Sequence, residues 1–213
     1  MRQRKIHKIV NKKVKDLFYI EASDFVDDYQ MYEMMSMPSL LLVQYETPMH
    51  YFFEYISRKI KEVSCYHEFA RQFVLNFKDG NAEDASWAAK LICLYLKSIG
   101  LYGQEYTFMT VPASSQVKQY VRYENFMEEV CNTSKMNNGY DLVNVTEERK
   151  AVHKGGSRNL QNYIINENVA GKKVVLFDDV YTTGKSWTTF AYKLESMGAE
   201  VVQGVFLAEA IMK

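Results

Sequence analysis

Two adjacent acids precede a hydroxyl-rich turn in the C-terminal part of the chain. The stretch VVLFDDVYTTGKS, residues 174–186, runs from an apolar segment into Asp178 and Asp179 and then into a short polar segment. A glycine-containing turn that opens a helix binds phosphate well, because its backbone N–H groups and the helix N-terminus favour negative charge. The two acids would repel that phosphate, but they can accept hydrogen bonds from hydroxyl groups attached to it.

A sugar phosphate satisfies both halves of this stretch. Asp178 and Asp179 would accept hydrogen bonds from ribose hydroxyls, while the turn would bind a 5-phosphate. In that turn, hydroxyl groups act as donors and the glycine lets the backbone approach the ligand closely. The residues predicted to bind the 5-phosphate are Thr182, Thr183, Gly184, Lys185 and Ser186.

Other phosphate-binding motifs fit this stretch less well. A Walker A loop needs a glycine five positions before Gly184, where Asp179 stands instead. A dinucleotide-binding fingerprint is absent, because Gly184 has no glycine partners at the required spacing. A phosphoacceptor aspartate could follow such a strand, but the turn would then have no role. An ordinary strand and capped helix with incidental acids is the remaining alternative.

The pattern after Gly100 predicts alternating strands and helices. Strands are predicted within 105–115, 140–149, 172–180 and 200–210, and helices within 123–137 and 186–199. This alternation is typical of an α/β fold, with a mainly parallel twisted sheet flanked by helices. Ligands of such sheets bind at the carboxyl ends of the strands, where the two acids lie.

Upstream of Gly100 the sequence indicates an α-rich N-terminal extension. Aromatic and aliphatic residues recur at helical spacing from Met49 to Phe77, and residues 83–100 form a helical pattern that ends at Gly100. The first 50 residues are rich in Tyr and Met and contain no recognisable chemistry. We therefore predict an extension or cap over residues 1–75 and the α/β domain over residues 76–213.

Composition limits the classes of protein that the chain can belong to. With 213 residues and 47% hydrophobic residues, it can bury one substantial core. Basic and acidic residues are equal at 26 each, which argues against direct binding of nucleic acid or an anionic membrane. No segment reaches the roughly 18 apolar residues of a membrane span. The three dispersed cysteines fit neither a zinc pattern nor a disulfide framework, so we expect a cytoplasmic protein.

Residues 174–186 closely resemble the phosphoribosyl-pyrophosphate (PRPP) binding motif of type I phosphoribosyltransferases. Within that superfamily the chain is most similar to the ComF-like group of predicted amidophosphoribosyltransferases. The segment TVPASSQVKQYVRYENF, 110–126, looks like that group's Val-Pro loop and the helix start that follows it. The segment KLESMGAEVVQGVFLAEA, 193–210, matches the usual helix, Gly-Ala turn and final strand. The resemblance covers roughly residues 70–213.

The resemblance implies the type I phosphoribosyltransferase fold and a cytoplasmic glycosyltransferase of nucleotide metabolism. Such an enzyme transfers 5-phosphoribosyl from PRPP to a nucleobase or amine and releases pyrophosphate. Asp178 and Asp179 would then be catalytic and hold the ribose 2- and 3-hydroxyls. Mg2+ would be held largely by PRPP itself, and a homodimer is usual among relatives.

Two further segments acquire roles only through this resemblance. The backbone of a loop after the strand in 105–115 would bind pyrophosphate, and a mobile loop at about 147–160 would close over the reactants. The predicted pyrophosphate-binding residues are Pro112, Ala113, Ser114 and Ser115. The predicted mobile-loop contacts are Arg149, Lys150, Lys154 and Arg158.

Several alternatives stay open from the residues alone. A non-catalytic relative could retain PRPP or nucleotide binding for regulation, or act as a ComF-like partner in DNA uptake or processing. A nucleotide or sugar-phosphate hydrolase on the same scaffold is a third possibility. Tyr181 could flank the ribose or a base, or it could pack beneath the turn. The acceptor cannot be identified, because no residue of the predicted acceptor region is diagnostic.

Overall fold

The computed structural model describes residues 47–146 and 162–211. The compact unit that contains the sheet spans Pro48–Lys213. The first 46 residues and the segment 147–161 lie outside the described residues. The four predicted mobile-loop contacts, Arg149, Lys150, Lys154 and Arg158, fall in that second segment.

Seven strands form two sheets in the described part of the chain. In chain order they are β1 (Met49–Tyr55), β2 (Tyr106–Thr110), β3 (Asn137–Asn138), β4 (Val143–Val145), β5 (Tyr163–Ile165), β6 (Lys173–Tyr181) and β7 (Glu200–Ala210). Five of them form one sheet in the order β1-β7-β6-β2-β3, in which every neighbouring pair is parallel. Strands β4 and β5 form a separate antiparallel pair.

Four α-helices accompany the strands among these residues. They are α1 (Cys65–Lys78), α2 (Ala82–Ser98), α3 (Gln116–Ser134) and α4 (Lys185–Ser196). The side chains of Ser64, Asn81 and Ser115 cap the first three helices by accepting backbone N–H groups of the first turn. Helix α4 has Gly184 at its N-terminal cap position instead, and this glycine adopts a left-handed conformation.

The sheet is covered on both faces, and β6 shows this most clearly. Its residues Val175 and Phe177 belong to one core cluster, which includes side chains of α1, α2 and α3. The alternating residues Val174 and Leu176 belong to a second cluster, which includes side chains of α4 and of the β4–β5 pair. A strand buried on both faces reads as a continuous apolar run, which explains the sequence VVLF before the two acids.

Between β2 and β6 the connections of the sheet lead to opposite edges, and this determines where the candidate site lies. From β2 the chain passes through α3 to β3 at one edge, whereas from β6 it passes through α4 to β7 on the other side. The neighbouring carboxyl ends of β2 and β6 therefore lie at a topological switch point. Open α/β sheets bind ligands in the crevice at such a point.

The predicted α/β class with a mostly parallel sheet is confirmed, but the helical reading of residues 49–77 is partly wrong. Residues Met49–Tyr55 form an edge strand that pairs with β7, and only Cys65–Lys78 are helical. Short aromatic runs satisfy strand and helix patterns equally well, and β1 is half-buried with high β-propensity. The boundary predicted after residue 75 falls inside α1, which spans Cys65–Lys78.

None of the helices in residues 47–146 and 162–211 is long and apolar enough to cross a membrane.

Candidate functional site

The turn between β6 and α4 has the backbone geometry of an anion-binding helix start. Gly184 has a φ of 75°, and its carbonyl accepts the Thr188 N–H at 2.9 Å. The Lys185 N–H donates to the Thr183 hydroxyl at 3.4 Å. A helix leaves the N–H groups of its first turn without intrahelical partners, so the amides of Ser186 and Trp187 can donate to a ligand.

Tyr181 packs beneath this turn. Its ring lies 5.1 Å from that of Phe206 and 5.8 Å from that of Tyr51, measured between centroids. A Cβ atom added to Gly184 would lie 2.6 Å from the Tyr181 hydroxyl oxygen and 2.8 Å from its ring. Of the two roles considered for Tyr181, the structure shows packing, and this packing requires a glycine at 184.

Replacing Gly184 with alanine is expected to destabilise the protein more than replacing Gly171 with alanine. Both glycines have a positive φ, 75° and 73°, so both variants incur the same backbone strain of about 1 kcal/mol. Only at Gly184 would the new methyl group meet other atoms within 4 Å. Urea denaturation of the two variants measures the difference, and equal losses would contradict the close packing of Tyr181.

The two acids of the candidate site have different surroundings. Asp179 is 6% exposed, and its carboxylate oxygens lie 3.1 Å from Lys78 Nζ and 2.7 Å from Arg122 Nη1. Asp178 is half-buried, and its Oδ1 accepts the N–H of Asp179 at 2.9 Å. Asp179 is thus neutralised by two cations, whereas Asp178 has none within ion-pair distance among the described residues.

Burial raises the pKa of Asp178 above its ordinary value, and the neighbouring negative charge of Asp179 raises it further. Its bond from the Asp179 amide, together with the more distant Lys78 and Arg122, acts in the opposite direction but does not cancel the effect. Of the two acids, Asp178 is therefore the one whose negative charge the protein stabilises less. A ligand that donates hydroxyl hydrogen bonds to it would favour its charged form.

The loop 111–115 lies beside these acids because β2 pairs with β6. The Val111 N–H donates to the Phe177 carbonyl at 2.8 Å, which continues the sheet up to the start of the loop. The Ala113 carbonyl accepts from the Asn162 side chain at 3.4 Å, so the residue just after the segment 147–161 also contacts the loop.

Not every predicted pyrophosphate donor in this loop is available. The Ala113 N–H already donates to Gln119 Oε1 at 2.9 Å, and Pro112 has no N–H. Ser115 caps α3 by accepting the Lys118 N–H at 3.4 Å. Lys118 Nζ donates to the Ser114 hydroxyl at 3.3 Å, which brings a cation to the loop. The start of α3 therefore offers the amides of Ser114 and Ser115, and Lys118, to an anion.

The structure brings seven of the eleven predicted site residues that it describes together in one cleft of about 300 Å³. The predicted residues that line it are Pro112, Ala113, Ser114, Asp178, Asp179, Thr182 and Ser186. Ser115, Thr183, Gly184 and Lys185 do not line it. Ser115 instead caps α3, and the other three form the turn before α4 or the first residue of that helix.

Both cations that line the cleft, Lys78 and Arg122, were missing from the predicted site residues. Arg122 belongs to the segment 110–126 on which the resemblance rests, so the sequence contained a signal for it, although it lies inside α3 and not at the start of that helix. Lys78 is the last residue of α1, and nothing in the sequence around it indicates a site. Only the packing of α1 and α3 against β6 brings both cations to Asp179.

The donor set of the cleft fits a cation that arrives with a phosphorylated ligand. Within residues 47–146 and 162–211, no group of three or more His, Cys, Asp or Glu side chains could hold a metal ion. Both oxygens of Asp179 are engaged by cations, which leaves Asp178 as the acid able to contribute to a metal. Mg2+ at this site would therefore take most of its ligands from phosphate oxygens and water.

The fold and cleft define an α/β protein with two helix N-termini and two acids at the switch point of a parallel sheet. Comparison with known proteins adds no family to this description, because neither a family model nor a curated protein matches the chain.

Proposed function

We propose that the protein is a PRPP-binding phosphoribosyltransferase with the type I fold, which transfers 5-phosphoribosyl to a nitrogenous acceptor. One observation carries this proposal: residues 111–114 of the loop and Thr182 and Ser186 of the turn line the same cleft as Asp178 and Asp179. PRPP has a phosphate at one end, a pyrophosphate at the other and a ribose between them. The cleft combines two segments suited to phosphate groups with two acids suited to hydroxyl groups, which supports a ligand that carries two phosphate-containing groups and a sugar.

The 5-phosphate is assigned to the start of α4 and the pyrophosphate to the start of α3. Each position combines backbone amides of a helix start with side-chain donors, which suits a phosphate group. The ribose hydroxyls then face Asp178 and Asp179. The acids repel the phosphates and so help to fix the direction in which the ligand lies.

The reaction breaks the bond between ribose C1 and a pyrophosphate oxygen and forms a bond between C1 and a nitrogen of the acceptor. Positive charge develops on the sugar and negative charge on the leaving group, so positioned charges are the main contribution of the protein. Asp178 and Asp179 hold the ribose in reacting geometry, and Lys118 lies beside the leaving pyrophosphate. Mg2+ held by PRPP would neutralise part of the pyrophosphate charge.

The proposal predicts pyrophosphate release from PRPP that requires both Mg2+ and a suitable nitrogenous acceptor. Release is measured with a coupled pyrophosphate assay over a panel of nucleobases and amines. We expect chelation by EDTA to lower the rate to that of the uncatalysed reaction, and added Mg2+ to restore it. If PRPP fails to bind at millimolar concentration in calorimetry, the proposal is wrong.

A non-catalytic PRPP- or nucleotide-binding regulator is the second candidate function. The ion pairs of Asp179 favour it, because a carboxylate that is already neutralised holds ribose less well than a free one. In that case PRPP would bind, but no acceptor in the panel would support pyrophosphate release. The cytoplasmic location and the homodimer stay predictions.

A further inference from the structure

Asp179 is the centre of an ion-pair cluster that joins three elements of the fold. Lys78 comes from the end of α1, Arg122 from α3, and Asp179 from the end of β6. The side chains of Asp179 and Arg122 are 9% and 15% exposed, and that of Lys78 is 34% exposed. Arg122 Nε also donates to the Lys78 carbonyl at 3.3 Å, which ties α1 to α3.

The cluster engages both carboxylate oxygens of Asp179, with which a ribose would have to form hydrogen bonds. Each carboxylate oxygen of Asp179 faces a cation, and a cation adds a Coulomb attraction to the carboxylate that a neutral hydroxyl lacks. A ribose hydroxyl therefore cannot displace Lys78 or Arg122 without another source of free energy. In the proposed ligand, that free energy must come from another group that binds elsewhere in the cleft.

The ion-pair cluster of Asp179 contains one more cation than acid, and the raised pKa of the neighbouring Asp178 favours the neutral form of that second acid. Two cations face one acid, and both Lys78 and Arg122 line the cleft that also contains Pro112, Ala113 and Ser114. A multiply charged anion at that loop would attract both cations, and it would do so more strongly than one carboxylate because it carries more charge. Lys78 can move most readily, since it is the most exposed member and has a flexible stem.

We propose that Lys78 and Arg122 form a charge latch on Asp179, which a pyrophosphate-like anion bound at the loop 111–115 releases. The inference rests on the proposed function, and it adds that binding of the ribose depends on binding of the pyrophosphate group. The anion draws the two cations away from Asp179, and the freed carboxylate then accepts the ribose hydroxyls. Pyrophosphate and ribose 5-phosphate therefore bind with positive coupling, and the coupling is equal in both directions.

The test is calorimetric titration of the full chain with inorganic pyrophosphate and ribose 5-phosphate, each alone and each with the other at saturation. We expect saturating pyrophosphate to tighten ribose 5-phosphate binding about tenfold in the wild-type protein, within the usual range of coupling between sites. In Lys78→Gln, part of the latch is absent. Ribose 5-phosphate should therefore bind more tightly without pyrophosphate, and the gain from pyrophosphate should shrink.

Three further variants keep the test decisive. Arg122→Lys retains a cation and should retain most of the coupling, whereas Arg122→Gln should lose it if the variant folds. Lys90→Gln removes an exposed lysine of α2 that does not line the cleft, and it should behave like the wild type. A thermal melt of each variant shows whether it is folded at the temperature of the titration.

The outcomes separate the latch from the proposed function. If both ligands bind but neither changes the affinity of the other, the latch is wrong while the proposed function stands. If pyrophosphate weakens ribose 5-phosphate binding, the two share one subsite and the latch is again wrong. If neither ligand binds to the wild-type protein, the latch and the proposed function both fail.

Discussion

Asparagine in place of Asp178 is expected to lower pyrophosphate release from PRPP about 100-fold, the size of loss that misplacement of a reacting group causes. The variant can no longer carry the negative charge that we assign to the ribose hydroxyls, while the shape of the side chain is kept. The bond from the Asp179 N–H to Oδ1, at 2.9 Å, can also form with an asparagine oxygen. We therefore expect a folded protein with weakened ribose binding, measured by the pyrophosphate assay and by calorimetry with PRPP.

The same variant should be more stable than the wild-type protein at neutral pH. Burial raises the pKa of Asp178 in the folded state, so the unfolded chain releases this proton at a lower pH than the folded chain does. The free energy of unfolding of the wild-type protein therefore falls as pH rises from about 4, the ordinary value for aspartate, to the raised pKa. Asparagine removes this penalty, so the stability gain grows across that window and vanishes below it.

A matched control separates this effect from a general loss of charge. Glu83→Gln removes an exposed acid from the first turn of α2, and it should leave the rate of pyrophosphate release unchanged. Urea denaturation at several pH values measures the stability of both variants. Wild-type turnover in Asp178→Asn would contradict the assignment of the acid to the ribose. A stability difference that does not depend on pH would contradict its raised pKa.

The central part of the site could be predicted from the sequence because its determinants are local. The run 174–177 is apolar at every position, as a strand buried on both faces requires, and two acids at its end can only lie at the sheet edge. Gly184 marks the turn, and the helical period that follows marks α4. Each of these signals lies within a few residues of the position it describes.

The cations of the cleft could not be predicted in the same way, because their position depends on contacts between distant segments. Arg122 and Asp179 are 57 residues apart in the chain, and Lys78 belongs to a third element. The edge strand β1 presents the same difficulty. Its pairing with β7 joins residues near 50 to residues near 205, and a short aromatic run carries no signal of such a partner.

Alanine in place of Phe177 is expected to lower the free energy of unfolding by about 3–5 kcal/mol, the usual cost of removing a buried phenylalanine ring. Phe177 is fully buried. Its ring centroid lies 4.9 Å from that of Phe126, 5.7 Å from that of Phe77 and 6.1 Å from that of Phe108. These neighbours belong to α3, α1 and β2, so the cavity would open where all three elements meet β6.

Thermal or urea denaturation measures this loss, which corresponds to a fall in Tm of roughly 6–20 °C for a domain of this size. Phe69→Ala is the matched control, because Phe69 is 48% exposed and its removal leaves no closed cavity. A loss below about 1 kcal/mol for Phe177→Ala would show that the neighbouring rings close the space.

The position of Phe177 also links its removal to the candidate site. Phe77 directly precedes Lys78, Phe126 lies one turn after Arg122, and Phe177 directly precedes Asp178. The rings therefore hold the backbone segments that carry the cations and the acids. Under conditions where Phe177→Ala is still folded, we expect weaker binding of PRPP and a smaller coupling between pyrophosphate and ribose 5-phosphate. Unchanged binding and coupling would mean that the ion pairs fix the site geometry without help from the aromatic core.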